Sequence, residues 1–481
     1  MRKSSFNGLL CAVALAAGLT ACAPELAAPP VPHGLPATYS SSNATTNSTA
    51  PDAGQLGWQA FFRDPNLVAL IDTALHRNQE LRIAQQEIEL ARQEVRARRG
   101  EYLPTVGLGA QAAADHVGRY TLQGATEETI RIRPTRATPD PLTNFQGGAF
   151  ASWEVDIWHR LRTARQAASL RLLASEEGRR FAQTNLVAEI ATSYYELLAL
   201  DNQLVLLKQN LAIQDSALRV VRMQKEAARA TELAVQRFEA QVQNTRSRQY
   251  LIEQRITETE NQLNFLAGRY PQHIARGTQP LAEVLPPDVP AGVPAHLLEN
   301  RPDIRQAEQQ LAAAHLDVQV ARAAFYPRLS LDAAVGLQAF RPGLLLTAPE
   351  SLLLGLAGSV AAPLVNRNGL RAQLGSADAR RQQAVLTYER TLLDGYREAG
   401  NQLANIHNLQ LSYDAKAREV ASLRRSVDIA GRLFASARAD YAEVLFTQRD
   451  ALEAQVDVVE TRLQQLTASV QLYRALGGGW R

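Results

Sequence analysis

The chain has 481 residues, and what it lacks excludes several classes at once. It has two cysteines, too few for a disulfide scaffold or a Cys-based zinc site. Lysine occurs four times (Lys3, Lys208, Lys225, Lys416), and arginine supplies the remaining basic groups, a compositional bias rather than a functional one. The formal net charge is +3, which shows no excess of the kind that binds nucleic acid. After the first 25 residues no apolar run approaches the roughly 20 residues of a membrane helix. There is no HExxH, GxSxG or Walker loop among the scattered histidines. His76 and Glu80 share a helical face, but one His and one Glu do not make a metal site. No catalytic residue, metal ligand or cofactor site is therefore assigned. What is present is an apolar fraction of 46%, enough for a large core, and a length that suggests about three domains. Composition alone says soluble and helical.

The order of the residues changes that. Arg2 and Lys3 form a basic start, Leu9 to Leu19 an apolar stretch, and Leu19-Thr20-Ala21-Cys22 follows. Residues 1–21 read as a secretory signal, to be left out of the fold. The tetrapeptide resembles the bacterial lipobox, which implies cleavage before Cys22 and lipid attachment to it. Several acyl chains hold a protein on a membrane where one is marginal. Ala23 rather than Asp follows, which in this class of signal favours the outer membrane. Residues 22–55, rich in Pro, Ser, Thr, Ala and Asn, read as a lipid-anchored tether.

Proline is absent between Pro141 and Pro271 and after Pro363. Helices end at prolines, so these tracts hold very long ones. One carries an apolar seam at Leu186, Ile190, Tyr194, Leu197, Leu200, Leu204, Leu207 and Leu211. The other carries Leu452, Val456, Val459, Leu463, Leu466, Val470 and Tyr473. Steps of three and four are a heptad pattern.

The chain also repeats itself. Residues 78–108 align with 301–331 at an offset of 223, and residues 161–268 align with 370–477 at an offset of 209 without a gap. Arg171 meets Arg380, Glu189 meets Glu398, and Gly268 meets Gly477. The change of offset lies between Pro104 and Leu161, so one repeat carries a longer insertion there. The first repeat covers 56–268, with strands at about 104–117 and 145–157, a long helix at about 159–226 and a returning helix at about 232–268. A Pro-rich equatorial connector covers 269–295. The second repeat covers 296–477, with strands at about 328–340 and 351–365, a long helix at about 369–435 and a returning helix at about 441–476. Residues 478–481 are a tail.

The strands show period two. Val106, Leu108, Ala110 and Ala112 alternate with Thr105, Gly107, Gly109 and Gln111; Phe145, Ala149, Trp153, Val155 and Ile157 share a face. Leu329, Leu331, Val335 and Leu337, and then Leu352, Leu354, Leu356, Val360 and Leu364, repeat the pattern. About ten residues suffice to cross a bilayer as a tilted strand. Four strands cannot close a membrane barrel, and an open edge in lipid leaves backbone groups unpaired. Two chains give eight strands and three give twelve, so a barrel must be shared between chains. A helix over 159–226 is about 100 Å long, more than any membrane is thick. The fold class is mainly α with membrane β, a duplicated helix-strand-strand-long helix-helix unit.

Arg301-Pro302-Asp303-Ile304, followed by Ala321-Arg322-Ala323-Ala324-Phe325-Tyr326-Pro327, resembles the second-half signature of the TolC-like outer-membrane factors. Ser152-Trp153-Glu154-Val155-Asp156-Ile157-Trp158 and the ending Leu472-Tyr473-Arg474-Ala475-Leu476-Gly477-Gly478-Gly479-Trp480 resemble their lipoprotein branch. The resemblance covers residues 20–481. It implies a homotrimer in the outer membrane of a Gram-negative bacterium, with a twelve-stranded β-barrel and an α-helical periplasmic tunnel. It implies a periplasmic adaptor and an inner-membrane efflux pump as partners, outer-membrane lipid as surroundings and no nucleic acid. It implies no enzyme activity: the chain would be a passive exit duct for drugs or other small toxic compounds. A trunk for protein secretion or metal efflux is the alternative, and a periplasmic adaptor lipoprotein a more distant one. The duplicated order argues against an adaptor, which would show one hairpin and soluble β-domains.

Such tunnels narrow at the periplasmic tips, which the repeat places near 226–236 and 435–446. A glycine is usual at positions 228 and 437, where this chain has Ala228 and Ala437. Asp440 and Glu443 are the candidates for an acidic ring, which would set cation preference. Tyr441 and Phe434 are the candidate aromatic constrictors. Arg438, Arg229 and Glu232 are candidates for inter-helix pairs holding a closed state.

Overall fold

The computed structural model describes residues 53–481 except 134, 135, 278, 288, 291 and 437, together with Pro36 and Tyr39. The signal 1–21, Cys22, most of the tether and Ala437 lie outside the described residues. In chain order, α1 (Trp58–Phe61), α2 (Pro65–Arg77) and α3 (Gln79–Glu101) lead into β1 (Thr105–Asp115). Next come α4 (Leu122–Thr129), the short strands β2 (Arg131–Arg133) and β3 (Arg136–Ala137), and β4 (Leu142–Val155). The long α5 (Arg160–Glu226) and α6 (Glu232–Leu266) complete the first repeat. The second has α7 (His296–Asn300), α8 (Pro302–Ala323), β5 (Arg328–Ala339), β6 (Leu352–Ala361), α9 (Asn368–Ala435) and α10 (Tyr441–Ala475).

Local chemistry sets these boundaries. Asp64 accepts from the Asn66 amide at 2.8 Å and caps α2, with Pro65 at its first position. Asn78 leaves the helical region and its Oδ1 accepts from the Leu81 amide at 3.1 Å, starting α3. The break puts His76 and Glu80 on different helices; His76 Nδ1 lies instead 2.8 Å from the Asp72 carbonyl. The Asp156 carboxylate accepts from the Leu161 and Arg162 amides at 3.1 and 2.9 Å, capping the 67-residue α5.

Three strand boundaries differ from the period-two expectation. β4 begins at Leu142, because its ladder with β1 extends to the Asp115–Leu142 pair. It stops at Val155, so Ile157 is outside the ladder. β6 stops at Ala361, two residues before Pro363, which has no amide to donate. The inserted residues between β1 and β4 are not plain loop: Thr121 caps α4 through the Gly124 amide at 3.1 Å, and β2 pairs with β3.

The chain forms two compact units. One contains Leu90–Leu172 and Gln310–Val385. It holds an antiparallel sheet of order β1-β4-β5-β6 and a small core of Val318, Phe325, Leu374 and Ala377. The other contains Val31–Glu89, Leu173–Gln309 and Leu386–Arg481. Its main core gathers the seam residues Ile190, Tyr194, Leu197, Leu466 and Val470 around Phe61, Leu67 and Ile71. Phe61 stacks on Tyr473 with ring centroids 4.0 Å apart. Each fully buried Leu or Ile side chain contributes about 1.5–3 kcal/mol. A second cluster joins Leu297, Ile304, Leu392 and Leu472, with Tyr39 stacked on Tyr396 at 5.4 Å.

The duplication recurs in the packing. Ile190 and Ala399, Leu263 and Leu472, and Leu81 and Ile304 are equivalent positions, and all are buried. Gly268 and Gly477, also equivalent, both end their helices at positive φ (67° and 87°). A Cβ on Gly268 would lie 2.5 Å from the Arg77 carbonyl oxygen, and one on Gly477 2.5 Å from that of Asn300. Arg77 and Asn300 are themselves equivalent. No helix of the described residues is long and apolar enough to cross a membrane.

Candidate functional site: an amphipathic sheet and two hairpin tips

The register assigns each strand residue to a face. Val106 lies opposite Ala151, Ala151 opposite Ala333, and Ala333 opposite Leu356. That face continues through Leu108, Phe145, Leu331, Val335, Leu354 and Val360, and its one hydroxyl is that of Thr143, opposite Ala114 at the end of the ladder. It is nonetheless exposed: Leu108 is 90% accessible, Leu356 82% and Val360 71%. An apolar face of this extent is unfavourable in water and has the character of the lipid-facing side of a membrane strand.

The opposite face is polar. Ser152 Oγ donates to Asp332 Oδ1 at 2.8 Å, Gln338 Nε2 to Asn144 Oδ1 at 2.9 Å, and the Ser330 and Ser359 hydroxyls lie 2.7 Å apart. Phe150 is an exception, its ring 3.3 Å from where a Gly109 Cβ would sit. Gly148 and Gly336 meet so closely that a Cβ on Gly148 would run into the Val335 carbonyl. In one chain β1 and β6 each keep an edge that no other described strand covers.

Aromatic residues mark one end of the strands. Trp153 Nε1 donates to the Tyr102 carbonyl at 2.9 Å and Trp158 Nε1 to the Pro327 carbonyl at 2.7 Å. Trp158 stacks on Tyr326 at 4.9 Å. Amphipathic rings of this kind suit a membrane–water boundary. Glu154 pairs with Arg160 at 2.7 Å.

The hairpin tips lie between Glu226 and Glu232 and between Ala435 and Tyr441. Ala228 stands at φ 56°, the left-handed region where glycine is usual. Its carbonyl neighbours are satisfied by the Arg229 amide, which donates to Gln224 at 2.7 Å. Thr231 caps α6 through the Ala234 amide at 3.2 Å. Asp440, the equivalent of Thr231, also precedes its helix but makes no side-chain cap. Asp440 and Glu443 are exposed, as are Arg438 and Arg229.

Of Arg229, Arg438 and Glu232, the candidates for inter-helix pairs, Glu232 makes one within the chain, from α6 to α5. Glu232 bonds to Lys225 across its own turn. Lys225, with the Gln236 amide, holds the Glu232 carboxyl below the usual carboxylate range. Phe434 and Tyr441 are half-buried against Leu218, Val221, Val235 and Phe238, so within one chain they pack rather than project. Two tip contacts were missed by sequence reasoning: Lys225–Glu232, and Arg222–Glu239 at 3.3 Å. Opposite charges seven residues apart across a helix break were the available signal for the first. No group of three or more His, Cys, Asp or Glu that would hold a metal occurs among the described residues.

A mostly helical chain with a one-sided apolar sheet defines a bacterial outer-membrane transport protein. The chain belongs to the outer membrane efflux protein family, whose sequence model matches residues 70–269 and 293–478, one match per repeat. It is 32% identical to the solvent efflux pump outer membrane protein SrpC of Pseudomonas putida, over 87% of each chain. It is 32% identical to the pyoverdine export outer membrane protein OpmQ of Pseudomonas aeruginosa, over 91% of this chain and 90% of that one. Among solved structures, the open state of the MtrE outer membrane channel of Neisseria gonorrhoeae matches with a TM-score of 0.82 at 25% identity, over 95% and 98% of the two chains. The family is one of channels and transport proteins; this chain is an efflux protein of the outer membrane.

Proposed function

We propose that the chain is the passive exit duct of a tripartite efflux system. Three copies share a twelve-stranded barrel, and their helical hairpins form a tunnel that receives cargo from a periplasmic adaptor and an inner-membrane pump. The observation that carries this is the four-stranded sheet, apolar on one face but for Thr143, mostly polar or small on the other, and open at both edges. Relatives named for solvent efflux and pyoverdine export point to small organic compounds as cargo. Cys22 carries the lipid that tethers the chain, as its lipobox-like context supports. Asp440 and Glu443, exposed at the second tip, form the acidic ring that sets cation preference.

The test is purification in detergent followed by native mass spectrometry and planar-bilayer recording. A trimer that conducts is expected. A monomer that stays in solution without detergent and carries no current would overturn the reading. Palmitate labelling that is lost in Cys22→Ser checks the anchor separately.

A further inference from the structure

Two connections share one end of the sheet and differ in chemistry. The helices α3, α5, α8 and α9 all adjoin the sheet at its Trp153 end. The other end holds the insertion between β1 and β4 and the loop between β5 and β6. The insertion is charged: Arg119 pairs with Glu128 at 3.9 Å and with Asp140 at 3.6 Å, and His116 Nδ1 lies 2.5 Å from Asp140 Oδ1. The β5–β6 loop, residues 340–351, has its only charges near its two ends, at Arg341 and Glu350. Between them runs Leu344-Leu345-Leu346.

Water is a poor surrounding for that run: Leu346 is 87% accessible, and Leu344 is exposed beside it. The backbone, by contrast, depends little on water. Pro342–Leu344 is a 3-10 turn. The amides of Leu344, Leu345, Thr347 and Ala348 donate to the carbonyls of Arg341, Pro342, Leu344 and Leu346 at 3.0–3.2 Å. The amide and the hydroxyl of Ser351 both donate to the Thr347 carbonyl, at 3.0 and 2.8 Å. Pro342 and Pro349 have no amide to satisfy. Such internal pairing lowers the cost of leaving bulk water. A segment at the boundary of headgroups and acyl chains keeps its charges wet while its apolar side chains enter hydrocarbon.

The loop also leans onto the apolar face of the sheet. Leu345 and Leu346 form, with Ala110, Ala112, Phe145 and Leu337, a groove of about 420 Å³. Those four strand residues belong to the apolar face, where Ala112 is opposite Phe145, and Gly147 lies between Ala110 and Leu337. Gln111 and Gln146, which alternate with them on the other face, also border the groove. The groove is therefore continuous with the surface that the barrel reading above turns to lipid. That reading also puts the helices in the periplasm and this end of the sheet outside. We infer that the β5–β6 loop is a lipid-contacting segment of the outer leaflet: Leu344, Leu345 and Leu346 enter the hydrocarbon, and lipid acyl chains occupy the groove. The inference rests on the barrel reading and adds a membrane contact beyond the strands. Arg341 and Glu350 stay at headgroup level, and the charged insertion beside the loop stays in water.

The experiment uses the full chain in liposomes, as Leu346→Cys labelled with bimane, with the unsubstituted chain labelled in parallel as the background from Cys22. Quenching by phospholipids with brominated acyl chains is compared with quenching by iodide present on both sides of the membrane. The label at 346 is expected to lose emission to the brominated lipid and to be screened from iodide, as is a label in Leu356→Cys on the apolar face of β6. Gln123→Cys, exposed on α4, is expected to show the reverse. If Leu346→Cys behaves like Gln123→Cys while Leu356→Cys responds to the lipid, the loop assignment is overturned and the barrel reading stands. Iodide quenching without lipid quenching at all three positions overturns both. Leu344→Cys, read in the same way, decides the question should Leu346→Cys fail to fold.

Discussion

Arg301 Nη1 donates to the carbonyl oxygen of Ala475 at 2.8 Å. Its equivalent in the first repeat, Asn78, donates from Nδ2 to Leu266 at 2.9 Å. Leu266 and Ala475 are the equivalent last residues of the returning helices, so each repeat ties off that helix with the side chain that precedes its strand-bearing arm. The second tie is ionic: Arg301 also forks onto Asp303 at 3.0 and 2.6 Å and reaches Glu398 at 3.0 Å. Burial works against the Arg301 charge, but Asp303 and Glu398 outweigh it and hold the guanidinium pKa above its ordinary value. Removing it by Arg301→Ala leaves Asp303 without its ion pair and Glu398 with only Arg474 at 3.7 Å, and is expected to cost about 3–5 kcal/mol. Asn78→Ala should cost only about 1–3 kcal/mol. Thermal unfolding followed by circular dichroism gives the order, and equal losses would contradict it.

The two helix-ending glycines predict a contrast. Gly268→Ala and Gly477→Ala place a side chain at positive φ against a carbonyl, at a cost of about 1–3 kcal/mol each. Gly431→Ala, inside α9 with open space around it, should gain about 0.5–1 kcal/mol. Chemical denaturation of the three variants checks the signs.

On the polar face of the sheet, Gly148→Ala should disrupt the β4–β5 ladder, because its Cβ meets the Val335 carbonyl. Gly355→Ala should be tolerated, since the nearest atom, the Ala334 Cβ, is at an ordinary 3.8 Å. Outer-membrane yield and heat-dependent gel mobility separate the two.

At the second tip, Asp440→Ala with Glu443→Ala should raise single-channel conductance and lower cation selectivity. Unchanged bilayer currents would remove these two carboxylates from the gate.

The Lys225–Glu232 tie predicts a pH dependence. A carboxyl whose folded pKa is depressed contributes fully above its ordinary value, here 4.5, and loses the contribution as pH falls through the lower folded pKa. Infrared or NMR titration should place the Glu232 midpoint below 4.5, and Lys225→Ala should move it back up.

Much of this was legible in the chain. The heptad seams at Ile190 and Tyr473 are buried because steps of three and four put them on one helix face, a local fact. The faces of the strands followed from alternation for the same reason. The insertion between β1 and β4 was visible as a change of offset, but not as a helix and a hairpin. Its polar residues carry little periodicity, and only the Thr121 cap reveals the start of α4. The partner of Glu232 was not legible because exposed charges pair according to which turn brings them near, and the turn at Ala228 lies between Lys225 and Glu232.

By itself, then, the sequence determined the duplication, the long helices and the sidedness of the strands, since each depends on spacing along one element. Only the tertiary structure decided which strand lies beside which, where Arg301 finds its carboxylates, and which apolar surfaces stay bare. Those contacts join residues far apart in the chain, and no periodicity within an element specifies the partner across the gap.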